Sequence, residues 1–340
     1  MRDRILKKLT SQTALMVYAA LLSGAVLGWS IERYVFPPAS YRGVALFQSS
    51  DDYQFIDPLL ACDIGAEDTF PELASSRAAV GAIIDQAKRD GRADSVSVYM
   101  RRLKSARWFE INGSNTYTPA SLFKVFVLMA YYKEADDSGD PGLLQHTVTF
   151  EGNSTTTTDI TGKKIPHLVA GQGYTIARLI NQMIVYSDND AATTLINNFD
   201  PKTWAAFNAL FSDLKIPSPE KQESALLPMT VEQYAMVFRV LFGATYLSRQ
   251  YSEDALNLLS QTTYTDGIAT GVGQGVAVSH KYGDAIDPSV QLHDCGVVYY
   301  PDHPYLLCVM TSGKDFASLQ GVIQEISKSV YEDADKAFKK

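Results

Sequence analysis

Three serine–lysine pairs in this 340-residue chain stand three residues apart: Ser121–Lys124, Ser212–Lys215 and Ser218–Lys221. A serine hydroxyl beside a lysine amine is a nucleophile beside a base, provided that the amine is neutral, and such a pair supports acyl transfer. About one such spacing is expected by chance at average composition. Spacing alone therefore leaves two readings open: an acylated serine with its base, or a helix cap with a surface lysine.

Context separates the three pairs. Ser212–Lys215 and Ser218–Lys221 fall in a polar, proline-containing stretch with no apolar shield, and the bland reading holds for both. Ser121 and Lys124 open the run "YTPASLFKVFVLMAYY", Tyr117 to Tyr132. Residues three apart share a helix face, so Lys124 lies one turn below Ser121. Its neighbours Leu122, Phe123, Val125, Phe126, Val127 and Leu128 are all apolar, which predicts a helix buried nearly all round. Burial disfavours an ammonium and yields a neutral amine able to take the serine proton. The helix start also aims free N–H groups at anything bound beside Ser121.

Two further segments carry polar groups of the right kind. "YSDND", Tyr186 to Asp190, holds the chain's only S-D-N, and "SHKYG", Ser279 to Gly283, its only K-x-G. Each has a plain alternative. Ser187 is a suitable N-cap for the helix that follows, and Lys281 is an acceptable strand lysine.

The elements that must position these residues follow from periodicity. An amphipathic helix is predicted over Glu72–Arg89 and a strand over Ser95–Arg101, with "RWFEI" as its hairpin partner. Further helices are predicted in "YTIARLINQMIVY", "DAATTLINNF", "TVEQYAMVFRVLF" and "SEDALNLLSQTTY", and a last one from Phe316 to Asp335. The tetra-threonine "STTTT" at Ser154–Thr158 reads as a loop or short extended piece. Three strands close the chain: "GVAVSHKYG", "VQLHDCGVVYY" and "YLLCVMTSG". Centring the final hairpin on "PDHP" pairs Cys295 with Met310, which sets Cys295 and Cys308 out of register for a disulfide. No regular βαβ alternation occurs, so a doubly wound sheet is excluded. The expected fold class is α+β: early and late strands join in one antiparallel sheet, terminal helices cover one face, and a helical middle covers the other.

Composition narrows the function. A hydrophobic share of 46% and a charged share of 20% are ordinary for a globular protein, and a net charge of −8 argues against nucleic acid as a partner. The three cysteines, Cys62, Cys295 and Cys308, show no CxxC spacing, so no zinc site is expected. His280 and His293 read as structural. Residues 1–8 form a basic tail. Leu9 to Ile31 then runs 23 residues without a charge, enough to cross a bilayer core. The basic flank places the tail in the cytoplasm and the rest outside. A signal peptide cleaved near "SGA", Ser23 to Ala25, is the rival reading. Residues 32–70 form a Pro-rich, acidic spacer with one apolar patch, "YQFIDPLLAC", and residues 71–340 the domain proper.

S-x-x-K, S-D-N and K-x-G, in that order, resemble the set of class A β-lactamases and penicillin-binding serine hydrolases. "L-x-x-G-x-x-Y-T-I" at Leu168–Ile176 and the glycine-rich "GIATGVGQGVAVSHKYG" are similar to that superfamily too. The resemblance implies Ser121 as acylated nucleophile and Lys124 as its base. Ser187 would carry a proton to the leaving nitrogen, Asn189 would hold Lys124 and the substrate amide, and Lys281 would supply positive potential for the substrate carboxylate and tune Ser187. The backbone N–H groups of Ser121 and Asp284 would form an oxyanion hole, with Tyr282, Gly283 and Asp284 lining the substrate. No cofactor and no metal are implied. The substrate would be a β-lactam. Alternatively, the enzyme would be a DD-peptidase, amidase or esterase acting on a D-Ala-type cell-wall peptide with slow deacylation. A non-catalytic peptidoglycan-binding module is the third reading, against which the five intact polar residues stand.

Two departures matter. The middle K-x-G position, small and hydroxyl-bearing in the family, is Tyr282, a ring expected to narrow the pocket, and Asp284 after it would repel an anion. The family's deacylating E-x-x-L-N is here "ESALL", Glu223 to Leu227, in a shortened loop, with Leu227 in place of Asn; two readings of Glu223 stay open, a residue that positions the deacylating water or a surface glutamate.

Overall fold

The computed structural model describes residues 53–58, 70–154, 158, 160, 162–216, 228–287 and 289–339. The expected membrane span at residues 9–31, most of the spacer and the loop carrying Glu223 lie outside the described residues. Among those described, no helix is long and apolar enough to cross a membrane.

In chain order the elements are α1 (Ala74–Arg89), β1 (Ser95–Arg102), β2 (Trp108–Ile111), β3 (Thr116–Tyr117), α2 (Lys124–Ser138), β4 (Thr147–Thr149), β5 (Gly173–Thr175), α3 (Ile176–Val185), α4 (Asn189–Asn197) and α5 (Pro201–Asp213). Then come β6 (Met229–Thr230), α6 (Val231–Phe242), α7 (Arg249–Leu259), β7 (Val278–Ala285), β8 (Val290–Val298), β9 (Tyr305–Gly313) and α8 (Phe316–Phe338). Early and late strands join in one antiparallel five-stranded sheet of order β2-β1-β9-β8-β7, as the α+β expectation required. β3 pairs with β6, and β4 with β5, in two small ribbons.

Both faces of the large sheet are covered, so its strands are buried on both sides and read as apolar runs instead of clean alternation. In β9, Leu307 and Val309 face a core built with Val80 and Ile84 of α1 and Val322, Ile323 and Ile326 of α8. Leu306, Cys308 and Met310 face the opposite core, with Phe238 and Leu241 of α6 and Leu256 of α7. Helix α2 lies in that second core. Its residues Val125 to Tyr131 are at most 1% exposed, which explains a helix apolar all round. Phe126 stacks on Phe211 of α5 at 5.0 Å, and Gly139, left-handed at φ 64°, ends the helix.

Helix α5 occupies a stretch with no helix among those expected from the sequence. Asp200 caps the helix through the N–H groups of Lys202 and Thr203, and Pro201 occupies its first turn. Trp204, Phe207 and Phe211 pack its apolar face. Ser212 is thus exposed at a helix end, bonded to the Ala209 carbonyl, and Lys215 follows it in a turn; neither belongs to a site.

The final hairpin closes two residues earlier than the "PDHP" centring predicted. Val298 pairs with Tyr305, which sets Cys295 directly opposite Cys308. The two form a disulfide, correcting the expectation that the register separates them. Asp302 in the left-handed region (φ 58°) marks where the chain turns.

The apolar patch that the sequence could not place is docked on the domain at Tyr53–Pro58. Glu253 of α7 accepts the N–H groups of Gln54, Phe55 and Ile56 at 2.7, 2.8 and 3.0 Å. Phe55 and Ile56 are buried, and Phe55 meets Tyr299 edge-on at 5.2 Å. One carboxylate thus satisfies three successive backbone donors that burial would otherwise leave unpaired.

Candidate active site

Ser121 lies not in α2 itself but in the 3-10 turn Ala120–Phe123 that leads into it. Three contacts hold this turn. Tyr234 of α6 donates to the Leu122 carbonyl at 2.9 Å. Gln291 of β8 accepts from the Thr118 N–H at 3.0 Å. His293 completes the set. Its Nδ1 accepts from the Thr311 N–H, so Nε2 carries the proton and donates to the Thr118 carbonyl at 3.0 Å. Burial pushes the His293 imidazole down to about 4, which keeps it neutral in this role. His293 is structural, as the sequence suggested.

Gly283 explains how closely β7 approaches the turn. A Cβ there would meet the Pro119 carbonyl oxygen at 2.6 Å and Leu122 N at 3.0 Å. Both are backbone atoms and cannot swing away. Gly283→Ala is therefore expected to push the Ser121 turn off the strand. It should cost roughly 1–3 kcal/mol of stability by overpacking and reduce acylation at least about tenfold, since small displacements of reacting groups are costly. Thermal melting and adduct kinetics on the same preparation check both parts.

Lys124 is the hub. Its Nζ lies 3.0 Å from Ser121 Oγ, 3.2 Å from Ser187 Oγ and 2.7 Å from Asn189 Oδ1, and it also donates to the Ser187 carbonyl. Desolvation lowers its pKa to about 8, against the opposing pull of Asp284 and Asp188. About a tenth of the amine is thus neutral at pH 7, the form that a base needs. Lys281 Nζ reaches Ser187 Oγ from the other side at 2.8 Å and donates to the Tyr282 carbonyl at 2.9 Å. Burial, then the charge of Lys124, drives Lys281 well below an ordinary lysine.

The backbone is unusual at two of these positions. Ala120 (φ 48°) and Ser187 (φ 56°) are non-glycine residues in the left-handed region. Such conformations persist only where the surroundings impose them. Here one precedes the Ser121 hydroxyl, and the other turns Ser187 towards both lysines. The plain reading of Ser187 as an N-cap is corrected: Asp188 caps α4, accepting from the N–H groups of Asp190 and Ala191. Asp188 is fully buried and also accepts from Gln182 at 2.9 Å.

The structure thus brings Ser121, Lys124, Ser187, Asn189 and Lys281 into one hydrogen-bonded cluster, with Gly283 against the serine turn. Tyr282 is placed otherwise than expected. Its ring is 4% exposed and packs in the core layer of α1 and α8, so it does not stand in the cleft. There it lies against Tyr264, with ring centroids 4.2 Å apart, and beneath Lys281, whose Nζ is 4.1 Å from the ring centre. Tyr264 has no sequence signal: it is recruited by tertiary contact alone. His280 forms a buried pair with Asp294 at 2.8 Å, and Asp294 also accepts from the Ile268 N–H at 2.8 Å. That pair ties β7 to β8 directly behind Lys281. Glu223 lies outside the described residues. Among those described, no group of three or more acidic, His or Cys side chains could hold a metal.

An antiparallel sheet with helices on both faces, carrying a serine and a buried lysine at the foot of the central helix, is the arrangement of a serine hydrolase of β-lactamase type. The chain belongs to the β-lactamase enzyme family, whose model matches residues 77–334. No curated protein matches it in sequence. Among solved structures it is similar to a point mutant of PBP-A, an acyl-enzyme complex with penicillin G (20% identity, 76% of this chain and 97% of that one, TM-score 0.62). It is similar as well to a β-lactamase from Chitinophaga pinensis (19% identity, 76% and 99%, TM-score 0.63). A third likeness is to a variant of the last common ancestor of Gram-negative class A β-lactamases (21% identity, 77% and 100%, TM-score 0.63).

Proposed function

We propose that the chain is a membrane-anchored, extracytoplasmic serine hydrolase that forms an acyl-enzyme at Ser121 and opens β-lactam rings. The observation that carries this reading is the amine of Lys124 between two hydroxyls, 3.0 Å from Ser121 Oγ and 3.2 Å from Ser187 Oγ. Neutral Lys124 takes the Ser121 proton as Oγ attacks the substrate carbonyl carbon. The negative oxygen that forms is met by the N–H groups of Ser121 and Asp284, where one such donor contributes about 3 kcal/mol. The carbonyl–nitrogen bond then breaks, and the nitrogen receives a proton through Ser187 Oγ, which is replenished from Lys124. Lys281 holds Ser187 in place for that transfer, and Asn189 fixes Lys124. Water then attacks the ester carbonyl, its proton passes to a base, and Ser121 regains its hydrogen.

Residues 9–31 anchor the protein, and the basic residues before them keep the N-terminus in the cytoplasm. The β-lactam assignment rests on family membership and on penicillin G acylating a similarly folded relative.

A second reading is favoured by one observation: "ESALL" lacks the Asn of the family's deacylating motif. The same acyl-enzyme would then hydrolyse slowly, as in a DD-peptidase or other amidase of cell-wall peptides. Incubation of the full chain with a chromogenic cephalosporin and a fluorescent penicillin separates the readings. Sustained turnover supports the lactamase, and a stable stoichiometric adduct the peptidase. A folded protein that neither turns over nor labels favours the third reading, a non-catalytic peptidoglycan-binding module.

If Glu223 activates the deacylating water, Glu223→Gln will trap the acyl-enzyme and slow turnover by about 10²–10⁴-fold, the ordinary contribution of a general base. An unchanged deacylation rate assigns the water to another group.

A further inference from the structure

The cluster holds two amines, yet neither has a hydrogen-bonding position to spare for an anion. A lysine offers three donors. Those of Lys281 are directed to Ser187 Oγ, to the Tyr282 carbonyl and to the face of the Tyr282 ring, and the side chain is wholly buried. Lys124, 4% exposed, is engaged by Ser121, Ser187 and Asn189. Tyr282, next to Lys281 on the strand, turns its ring into the core and not towards the cleft.

Asp284, by contrast, is half-buried on β7, the edge strand of the sheet, one residue beyond the Gly283 contact with the serine turn. Among the described residues no hydrogen bond or ion pair engages its carboxylate. Its field reaches both Lys124 and Lys281. The other carboxylate of the cluster, Asp188, is fully buried and occupied by Gln182 and two backbone N–H groups. A group lying along β7 beside Ser121 therefore meets a carboxylate that no hydrogen bond or ion pair engages among the described residues, beside two amines whose donors are already directed elsewhere, in a chain of net charge −8.

We propose that Asp284 sets the charge selectivity of the site: Ser121 is acylated by amides or esters that are uncharged on the side facing β7, and a free carboxylate there is disfavoured. This rests on the acyl-enzyme reading given above. The substrate class is accordingly β-lactams or D-Ala-type peptides whose carboxyl group is esterified or amidated.

The test measures second-order acylation of the full chain by penicillin G and by its methyl ester, using intact mass. The ester is expected to react faster with the wild type. Asp284→Asn keeps the backbone N–H and the side-chain shape but removes the charge. Because the Asp284 charge also acts on Lys124, both rates can change, and the readout is their ratio: the free-acid rate relative to the ester rate is expected to rise about tenfold. Raising the salt concentration on the wild type should speed the free acid alone, which gives an answer even if the variant fails to fold. Equal rates for acid and ester in the wild type, or a gap unchanged by both the substitution and salt, overturn the inference. No adduct with either compound, in folded wild type and variant alike, overturns the acyl-enzyme reading itself and the inference with it.

Discussion

Ser121→Ala is expected to eliminate turnover, by a factor of about 10⁴ or more, because removing the nucleophile removes the covalent path altogether. Stability should hardly move. Ser121 is only half-buried, and its hydroxyl meets one partner, Lys124. Substitutions of this kind ordinarily fall within about 0.5 kcal/mol, or about 2 °C in melting temperature for a domain of this size. The combination separates a chemical role from a structural one. A variant that loses activity together with several degrees of stability would point to a turn that has collapsed.

Lys124→Met is expected to slow acylation by about 10²–10⁴-fold, the range for loss of a positioned base. The pH dependence carries the sharper information. Lys124 works as a base only when deprotonated, and burial lowers its pKa to about 8. The acylation rate of the wild type should therefore rise about tenfold per pH unit below that value and level off above it. The variant has no such group, and its residual rate should lack the rise. A wild-type rate that is flat between pH 6 and 9 would assign the proton transfer elsewhere. Lys281 is the obvious rival, but its amine is hydrogen-bonded to Ser187 Oγ and the Tyr282 carbonyl, whereas Lys124 is the amine bonded to Ser121.

Much of this arrangement was legible in the chain itself, because the signals were local. Six apolar neighbours of Lys124 implied burial, and the lysine is 4% exposed. The strand–strand–helices–strands–helix order implied one antiparallel sheet, and the sheet joins β1 to β9 and β7 to β8. What escaped the sequence was non-local or turned on a small shift of register. The "PDHP" centring misplaced the last hairpin by two positions and thereby hid the Cys295–Cys308 bond. Helix α5 was hidden by polar residues around a spaced aromatic stripe, although Asp200 and Pro201 marked its start. Ser187 looked like a cap because the sequence does not reveal that its φ is positive, while its neighbour Asp188 does the capping. The docking of Phe55 on Glu253 spans 198 positions and has no sequence signature at all.

Everything above depends on Ser121 becoming acylated. The most direct test is peptide mapping by mass spectrometry after incubating the full chain with penicillin G, and in parallel with the methyl ester, followed by an acid quench. One added acyl group is expected, located on the peptide that contains Ser121 and absent from Ser121→Ala. An adduct on any other residue, or a folded protein that acquires none from either compound, would contradict it.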